Sequence, residues 1–593
     1  DEVSFELYTN GDMQLKTEHR TRIKIFNENG YEHANINIPY LTKKSLGKIK
    51  ELTAYVYTLD QNDRIVVQKL GKDDFFKQTV VGKLGLIKFS FPNLKRGSVI
   101  EYSYTRMEQN FFDIDPWEIQ DDIPTAYTSL ILITPKTSIL KNKIYGQDSL
   151  KILPLRKKNS QLNYSSWYME NVPAFKVEPY MTSRIDNRMR MVFFHFPITN
   201  SMISTITNPV FIWSMVGEHM LEDAQFGGQI KKQIRGTDKI IDSAKALPSV
   251  NEKIKFVYEA VKRRFPGDKD ISREIKDLND AWKDQSGTTG EVNLILLNLL
   301  GKLKVKSYPL LVSTRSNGMV DKYFPSFGQL NALVAVAMID SSHYYLLDAS
   351  LSHQSIDCPP VNILNREALL LRAGNIQWFM IEDQRPLFKQ LANIMCDITK
   401  EGVLEGGASI QHYNYAKQYV LDTADETDRR TENFLSKKTP GLKIVSSEKT
   451  LTESADDPLY ETINFTYEPE QTNEFYFFKP SFLFQIPGNP FVAEKRSTDI
   501  DFGYNQEIIT SLQISFQPSF EKDHLPGSIK LISPDSSLIF TRMVSYKPGQ
   551  IDITANLQIK KSIYPKDEYV SIRDFFKKLQ GLAAEEIILK KKN

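Results

Sequence analysis

Residues 282–303 read Trp282-Lys283-Asp284-Gln285-Ser286-Gly287-Thr288-Thr289-Gly290-Glu291-Val292-Asn293-Leu294-Ile295-Leu296-Leu297-Asn298-Leu299-Leu300-Gly301-Lys302-Leu303. Val292, Ile295, Leu296, Leu299, Leu300 and Leu303 recur at helical spacing and form one continuous apolar stripe. Thr288 and Thr289 stand just before the stripe as cap candidates, and Glu291 sits where a first-turn carboxylate favours the helix dipole. Upstream, Ile254, Val257, Tyr258 and Val261 mark one face of a second helix. Downstream, Val305 to Ser313, Ala332 to Ile339 and His343 to Leu347 read as strands. A buried helix followed by antiparallel strands predicts an α+β core.

The sequence on either side of this core has a different texture. Residues 1–205 alternate apolar and polar with period two, as in Val99-Ile100-Glu101-Tyr102-Ser103-Tyr104, and turns such as Asn27-Glu28-Asn29-Gly30 interrupt them. They predict an antiparallel sandwich or a large curved sheet. From 385 onward the chain returns to strand-like runs, with a Pro/Gly-rich joint at 480–490. An amphipathic helix is expected from Asp567 to Leu579, before a last strand at Ile587-Ile588-Leu589. The expected class is therefore multidomain and mostly β, with a central α+β core and β-sandwich domains at both ends. The expected divisions are 1–205, 206–384, 385–480 and 481–593. A chain of 593 residues demands such a division, because single cores stop growing near ~250–300 residues.

Composition excludes several function classes. Lys+Arg 75 against Asp+Glu 73 gives +2, with no overall basic excess for nucleic acid. Two cysteines, Cys358 and Cys396, are too few for a disulfide framework or a cysteine-based zinc site. The eight histidines are scattered without metal-ligand spacing, so no metal or other cofactor is expected. No apolar run reaches the ~18 residues of a membrane-spanning helix. Phosphate-binding glycine loops and a GxSxG elbow are both absent.

The spacing within 282–350 resembles the transglutaminase-like (papain-like) core. That family places a cysteine at the start of a buried helix, in a Gly-x-Cys context, with a leucine pair further along. Here Gly287-Thr288-Thr289 fills that place and Leu299-Leu300 is the pair. The family then carries a histidine on a strand and, after a hairpin and an aromatic, an aspartate. Here Asn331 stands at the histidine position at the head of a strand, Asp340-Ser341-Ser342 makes the hairpin, and Tyr344 precedes Asp348.

The resemblance thus assigns the three roles to Thr289, Asn331 and Asp348, and only the aspartate keeps its residue type. The family's chemistry needs a thiolate made by an adjacent imidazole and by the helix N-terminus. A threonine hydroxyl is a far weaker acid, asparagine takes no proton at neutral pH, and an internal threonine lacks the N-terminal amine that threonine nucleophiles use. We therefore expect a pseudoenzyme, with Thr289 capping its helix and Asn331 and Asp348 as hydrogen-bonding core residues. Cys358, in Asp357-Cys358-Pro359-Pro360, reads as a loop residue rather than a rescuing nucleophile.

The flanks extend the resemblance. Residues 98–135, with Trp117-Glu118-Ile119-Gln120-Asp121-Asp122-Ile123-Pro124, and the run Asn171-Val172-Pro173-Ala174-Phe175 resemble the bacterial DUF3857 domain. Asp501-Phe502-Gly503-Tyr504 and the stretch from Tyr564 to Leu589 resemble DUF3858. This layout implies export, to the periplasm or outer membrane, with a signal removed before Asp1. It implies an interaction or scaffold role whose partner is another cell-envelope protein or a peptide. Two alternatives stay open: an active peptidase, amidase or transglutaminase with altered residues, and a glycan-binding protein.

Overall fold

The computed structural model describes residues 1–7, 13–41, 47–81, 84–108, 114–136, 138–146, 151–152, 161–197, 208–266, 271–273, 275–423, 439–451, 457–482 and 488–592. The chain forms two compact units: one holds 1–176, 187–212 and 322–328, and the other holds 177–186, 213–321 and 329–593.

The first unit is built on an eight-stranded sheet. Its order is Lys151–Ile152, Leu162–Val172, Thr125–Pro135, Glu2–Leu7, Met13–Lys24, Val99–Glu108, Gly47–Leu59 and Ile65–Lys69. The period-two sequences fold as expected because alternate side chains reach opposite faces. Two three-stranded sheets cover its inner face. One, with Ser138–Tyr145 at an edge, packs Leu140, Ile144 and Phe193 against Val3, Leu15, Leu130 and Leu132. The other packs Ile38, Ile87 and Phe89 against Ala54, Val56 and Ile100. The result is a sandwich with two cores.

The second unit begins with helices around Thr289–Lys302, whose residues from Thr289 to Leu300 are all buried. Burial on every side makes this the central helix, since a helix apolar all round belongs in a core. Val250–Arg264 and Leu278–Asp284 pack beside it. A five-stranded antiparallel sheet lies against it, ordered Tyr344–Leu347, Ala332–Met338, Ser307–Val312, Arg366–Leu370 and Gln377–Ile381. The bounds of Ser307–Val312, Ala332–Met338 and Tyr344–Leu347 match the sequence reading to within two residues at each end, whereas Arg366–Leu370 and Gln377–Ile381 were not singled out in it.

The C-terminal region differs from expectation in one respect. Two modules were anticipated on either side of 480–490. Instead the strands of both share one eight-stranded sheet, ordered Leu442–Thr450, Leu459–Tyr467, Leu404–Asn414, Phe388–Ile398, Gln506–Phe516, Gln550–Ile559, Leu538–Lys547 and Ile529–Ile532. The join is a parallel pairing of Phe388–Ile398 with Gln506–Phe516. Parallel neighbours need a long crossover, so their adjacency leaves no local trace in sequence. The helix expected at 567–579 runs Tyr569–Ala583 and packs Ile572, Phe575, Phe576 and Leu579 on Phe491, Phe502 and Phe540. Among the described residues no helix is long and apolar enough to cross a membrane.

Candidate functional site

The central helix starts as its sequence suggests, with the cap shifted by one residue. Thr288 is the N-cap: its hydroxyl accepts from the Glu291 amide at 3.2 Å, and Glu291 Oε2 accepts from the Thr288 amide at 3.0 Å. This reciprocal capping box satisfies two otherwise orphaned N–H groups. Thr289 is the first helical residue and not the cap, which corrects one expectation for it. Glu291 is buried, and its Oε1 accepts from the Lys276 amide at 2.8 Å.

Thr289 is buried and its hydroxyl is doubly engaged. Its Oγ1 donates to the Ser272 carbonyl at 2.9 Å and accepts from the Ser272 amide at 3.0 Å. The same carbonyl accepts from the Gly290 amide at 2.8 Å. A Cβ on Gly290 would lie 2.9 Å from that carbonyl oxygen and 3.1 Å from Arg273 Cα, so only glycine admits the clasp. Arg273 Nη1 in turn donates to the Leu330 carbonyl at 2.6 Å, beside Asn331. Backbone at Ser272 and at Lys276 is thus fastened to the positive end of the helix, where an N-terminal N–H would otherwise be free for an anion or an oxyanion.

Asn331 lies in the lead-in to its strand, which begins at Ala332. Its Oδ1 accepts from the Thr314 amide at 2.9 Å and its Nδ2 donates to the Thr314 hydroxyl at 3.0 Å. Asp348 follows the strand Tyr344–Leu347 and is buried. Its Oδ1 accepts from Asn293 Nδ2 at 2.8 Å and from the Ser350 amide at 3.0 Å. The structure therefore hydrogen-bonds Thr289 to Ser272, Asn331 to Thr314 and Asp348 to Asn293. The hydrogen bonds made by Thr289 and Asn331 join neither of them to another of the three.

Asn293 was not singled out in the sequence. Fully buried, it donates to the Leu333 carbonyl and Asp348, and accepts from the Ala349 amide at 2.9 Å. It locks the helix to two strand segments at once. Asn298 acts likewise, donating to the carbonyls of Gln229, Ile230 and Lys232. The sequence signal was present: two asparagines inside an otherwise apolar helix, where a buried amide must find partners.

Other candidate chemistry is elsewhere. His343 pairs with Asp340 at an exposed turn, and His353 pairs with Asp422. Asp340, held by the Ser342 amide and then by His343, has its carboxyl lowered to about 2. Among the described residues no group of His, Cys, Asp and Glu could hold a metal ion. Trp117, Trp213 and Trp282 are buried, so they form no sugar-stacking platform.

Burial pushes the Cys358 and Cys396 thiols up to about 12, so neither is a nucleophile near neutral pH. We predict that a thiol reagent at pH 8 labels neither cysteine in the native protein and both after denaturation. Rapid native labelling of either would show a reactive thiol that the packing denies.

Comparison with known proteins fits this architecture. Residues 12–176 match the family model described as a domain of unknown function with solved structure, DUF3857. Residues 473–589 match that of DUF3858, described in the same words. A solved crystal structure described as that of "a putative protease" from Parabacteroides distasonis is similar over 99% of this chain and 98% of its own. Its TM-score is 0.63 and its identity 12%, a likeness of fold. No curated protein matches the chain. The chain carries a DUF3857 domain near its N-terminal end and a DUF3858 domain near its C-terminal end.

Proposed function

We propose that residues 206–384 are a transglutaminase-like core that has lost catalysis, and that the protein is a non-catalytic interaction or scaffold component of the bacterial cell envelope. The observation that carries this reading is the Ser272 clasp. Where the resembled enzymes need a free thiolate, this chain has a hydroxyl with both hydrogen-bonding roles occupied by backbone. The Gly290 N–H that could steady an oxyanion is bonded to the Ser272 carbonyl. Asn331, at the position of the base, is bonded to Thr314. Export to the periplasm or outer membrane follows from the DUF3857 and DUF3858 resemblance, and cell fractionation tests it.

The catalytic half is tested by assaying wild type and Thr289→Ala on peptide, isopeptide and amine-transfer substrates. We expect no turnover above buffer in either. Turnover by wild type that Thr289→Ala abolishes would establish the alternative, an active enzyme of altered type. The neighbour described as "a putative protease" is alike in overall fold and does not bear on activity.

A further inference from the structure

The start of the central helix is covered by main chain that brings little packing with it. Ser272 and Arg273 are half-buried, and Ile271, the apolar side chain beside them, is 44% exposed instead of turned into the core. The helix beneath is of the opposite kind. Every residue from Thr289 to Leu300 is buried, and Val250–Arg264, Leu278–Asp284 and two strands of the five-stranded sheet pack on it. Apolar burial, the largest favourable term in folding, therefore lies in the helix and not in its cover.

Hydrogen bonds hold the cover in place. Ser272 turns its N–H and its carbonyl to one hydroxyl, Thr289 Oγ1, at 3.0 and 2.9 Å. The carbonyl also takes the Gly290 amide at 2.8 Å, and Arg273 Nη1 reaches across to the Leu330 carbonyl at 2.6 Å. The Ser272, Thr289 and Gly290 groups meet water if the cover lifts, and a hydrogen bond exchanged for water is worth little net. Local opening costs least where few apolar contacts are buried. Lifting this cover is therefore far cheaper than unfolding the helix below it.

We propose that residues 271–273 form a strap that opens by itself, with the central helix and its sheet still folded, and so governs access to residue 289. Closed, the strap screens the Thr289 hydroxyl and occupies the Gly290 N–H. Open, it presents both to solvent at the positive end of the helix, where the oxygen of a peptide carbonyl or a carboxylate is favoured. A threonine at the position of the nucleophile and the strap above it are then two separate barriers. The first removes the thiolate, and the second shuts out whatever would meet it. The inference concerns exposure and not turnover, so it stands or falls apart from the non-catalytic reading.

Thiol labelling of the full chain tests this. In Thr289→Cys a small thiol reagent reads the strap, and Cys358 and Cys396, both buried, read global unfolding in the same molecule. Gly301→Cys supplies the uncovered reference, at an exposed position of the same helix where a Cβ meets nothing within 4 Å. Each rate is divided by that of the same thiol in denaturant. The Thr289→Cys thiol should react at least about tenfold slower than that of Gly301→Cys, and faster than either native cysteine. Adding Arg273→Ala, which cuts the Leu330 tie, should speed it by about tenfold, and Arg273→Lys by less. Gly290→Ala should speed it as well, because its Cβ would lie 2.9 Å from the Ser272 carbonyl oxygen and press the strap away, while alanine suits the helix better than glycine. Cys358 and Cys396 should stay unlabelled while the introduced thiol reacts. Reaction of Thr289→Cys as fast as Gly301→Cys overturns the strap as a cover. Reaction only in step with the native cysteines, or a rate that neither Arg273→Ala nor Gly290→Ala changes, overturns its opening by itself.

Discussion

Asn293→Ala should destabilise the central region by about 3 kcal/mol or more. The amide is fully buried and makes three hydrogen bonds, to the Leu333 carbonyl, Asp348 Oδ1 and the Ala349 amide. Truncation takes one hydrogen bond from each of the three buried partners and leaves Asp348 Oδ1 to Ser350. An unmet buried polar group costs about 1–3 kcal/mol, and a charged one more. Asn293→Asp is the sharper variant. It places a second carboxylate beside Asp348 Oδ1, and like charges at that distance raise the folded-state pKa of one of them. A group with a raised folded pKa contributes stability below its unfolded value and loses it as pH rises. Asn293→Asp should therefore be nearer wild type at pH 4 than at pH 7, whereas Asn293→Ala should show no such relief. Denaturant unfolding followed by tryptophan fluorescence, with Trp282 close to the central helix, reads both. A loss under about 1 kcal/mol for Asn293→Ala would mean that the helix is held by its apolar contacts alone.

Asn293 also shows where the sequence was legible and where it was not. The stripe from Val292 to Leu300 and the strand at Ala332 are local signals and fold as read, and the cap falls on Thr288, one of the two threonines offered for it. Each depends on residues a few positions apart. The roles of Asn293 and Asn298 depend on carbonyls far away in sequence, and an asparagine on a helix reads equally well as a solvated face. The Ser272 clasp is harder still. Its acceptor is a main-chain carbonyl, which every residue possesses, so the sequence around Ser272 carries no mark of it. The reading of Thr289 and Asn331 at the family's cysteine and histidine positions carried no sign that Ser272 closes on the helix start. The single C-terminal sheet escaped for the same reason: its joining pair, Phe388–Ile398 with Gln506–Phe516, is separated by more than a hundred residues.

Asp501→Ala should separate the DUF3858 domain from the strands before it, at a cost of about 3–5 kcal/mol. Its side chain is fully buried where the C-terminal domain meets Arg315 and Arg366. Oδ1 accepts from Arg315 Nη1 at 2.9 Å and from the Gly503 amide at 2.8 Å, and Arg366 Nη1 stands 4.0 Å from Oδ2. Arg366 is itself 1% exposed, and its Nε and Nη2 have no hydrogen-bond partner among the described residues. Burial, and after it the nearby Arg315, hold its pKa below the ordinary arginine value. Without Asp501 the buried Arg366 guanidinium confronts the part-exposed Arg315 guanidinium with less negative charge between them. The charge can be separated from the hydrogen bonds by comparing variants. Asp501→Asn keeps an acceptor for the Gly503 amide and Arg315 but removes the charge, so most of the loss should persist. Adding Arg366→Met to Asp501→Ala removes the unpaired cation and should recover part of it, a positive coupling between neighbours. Limited proteolysis of the C-terminal domain and denaturant midpoints measure the series. If Asp501→Asn matches wild type, or Arg366→Met only adds to the damage, the junction is held by shape and apolar packing and the ion pairs merely accompany it.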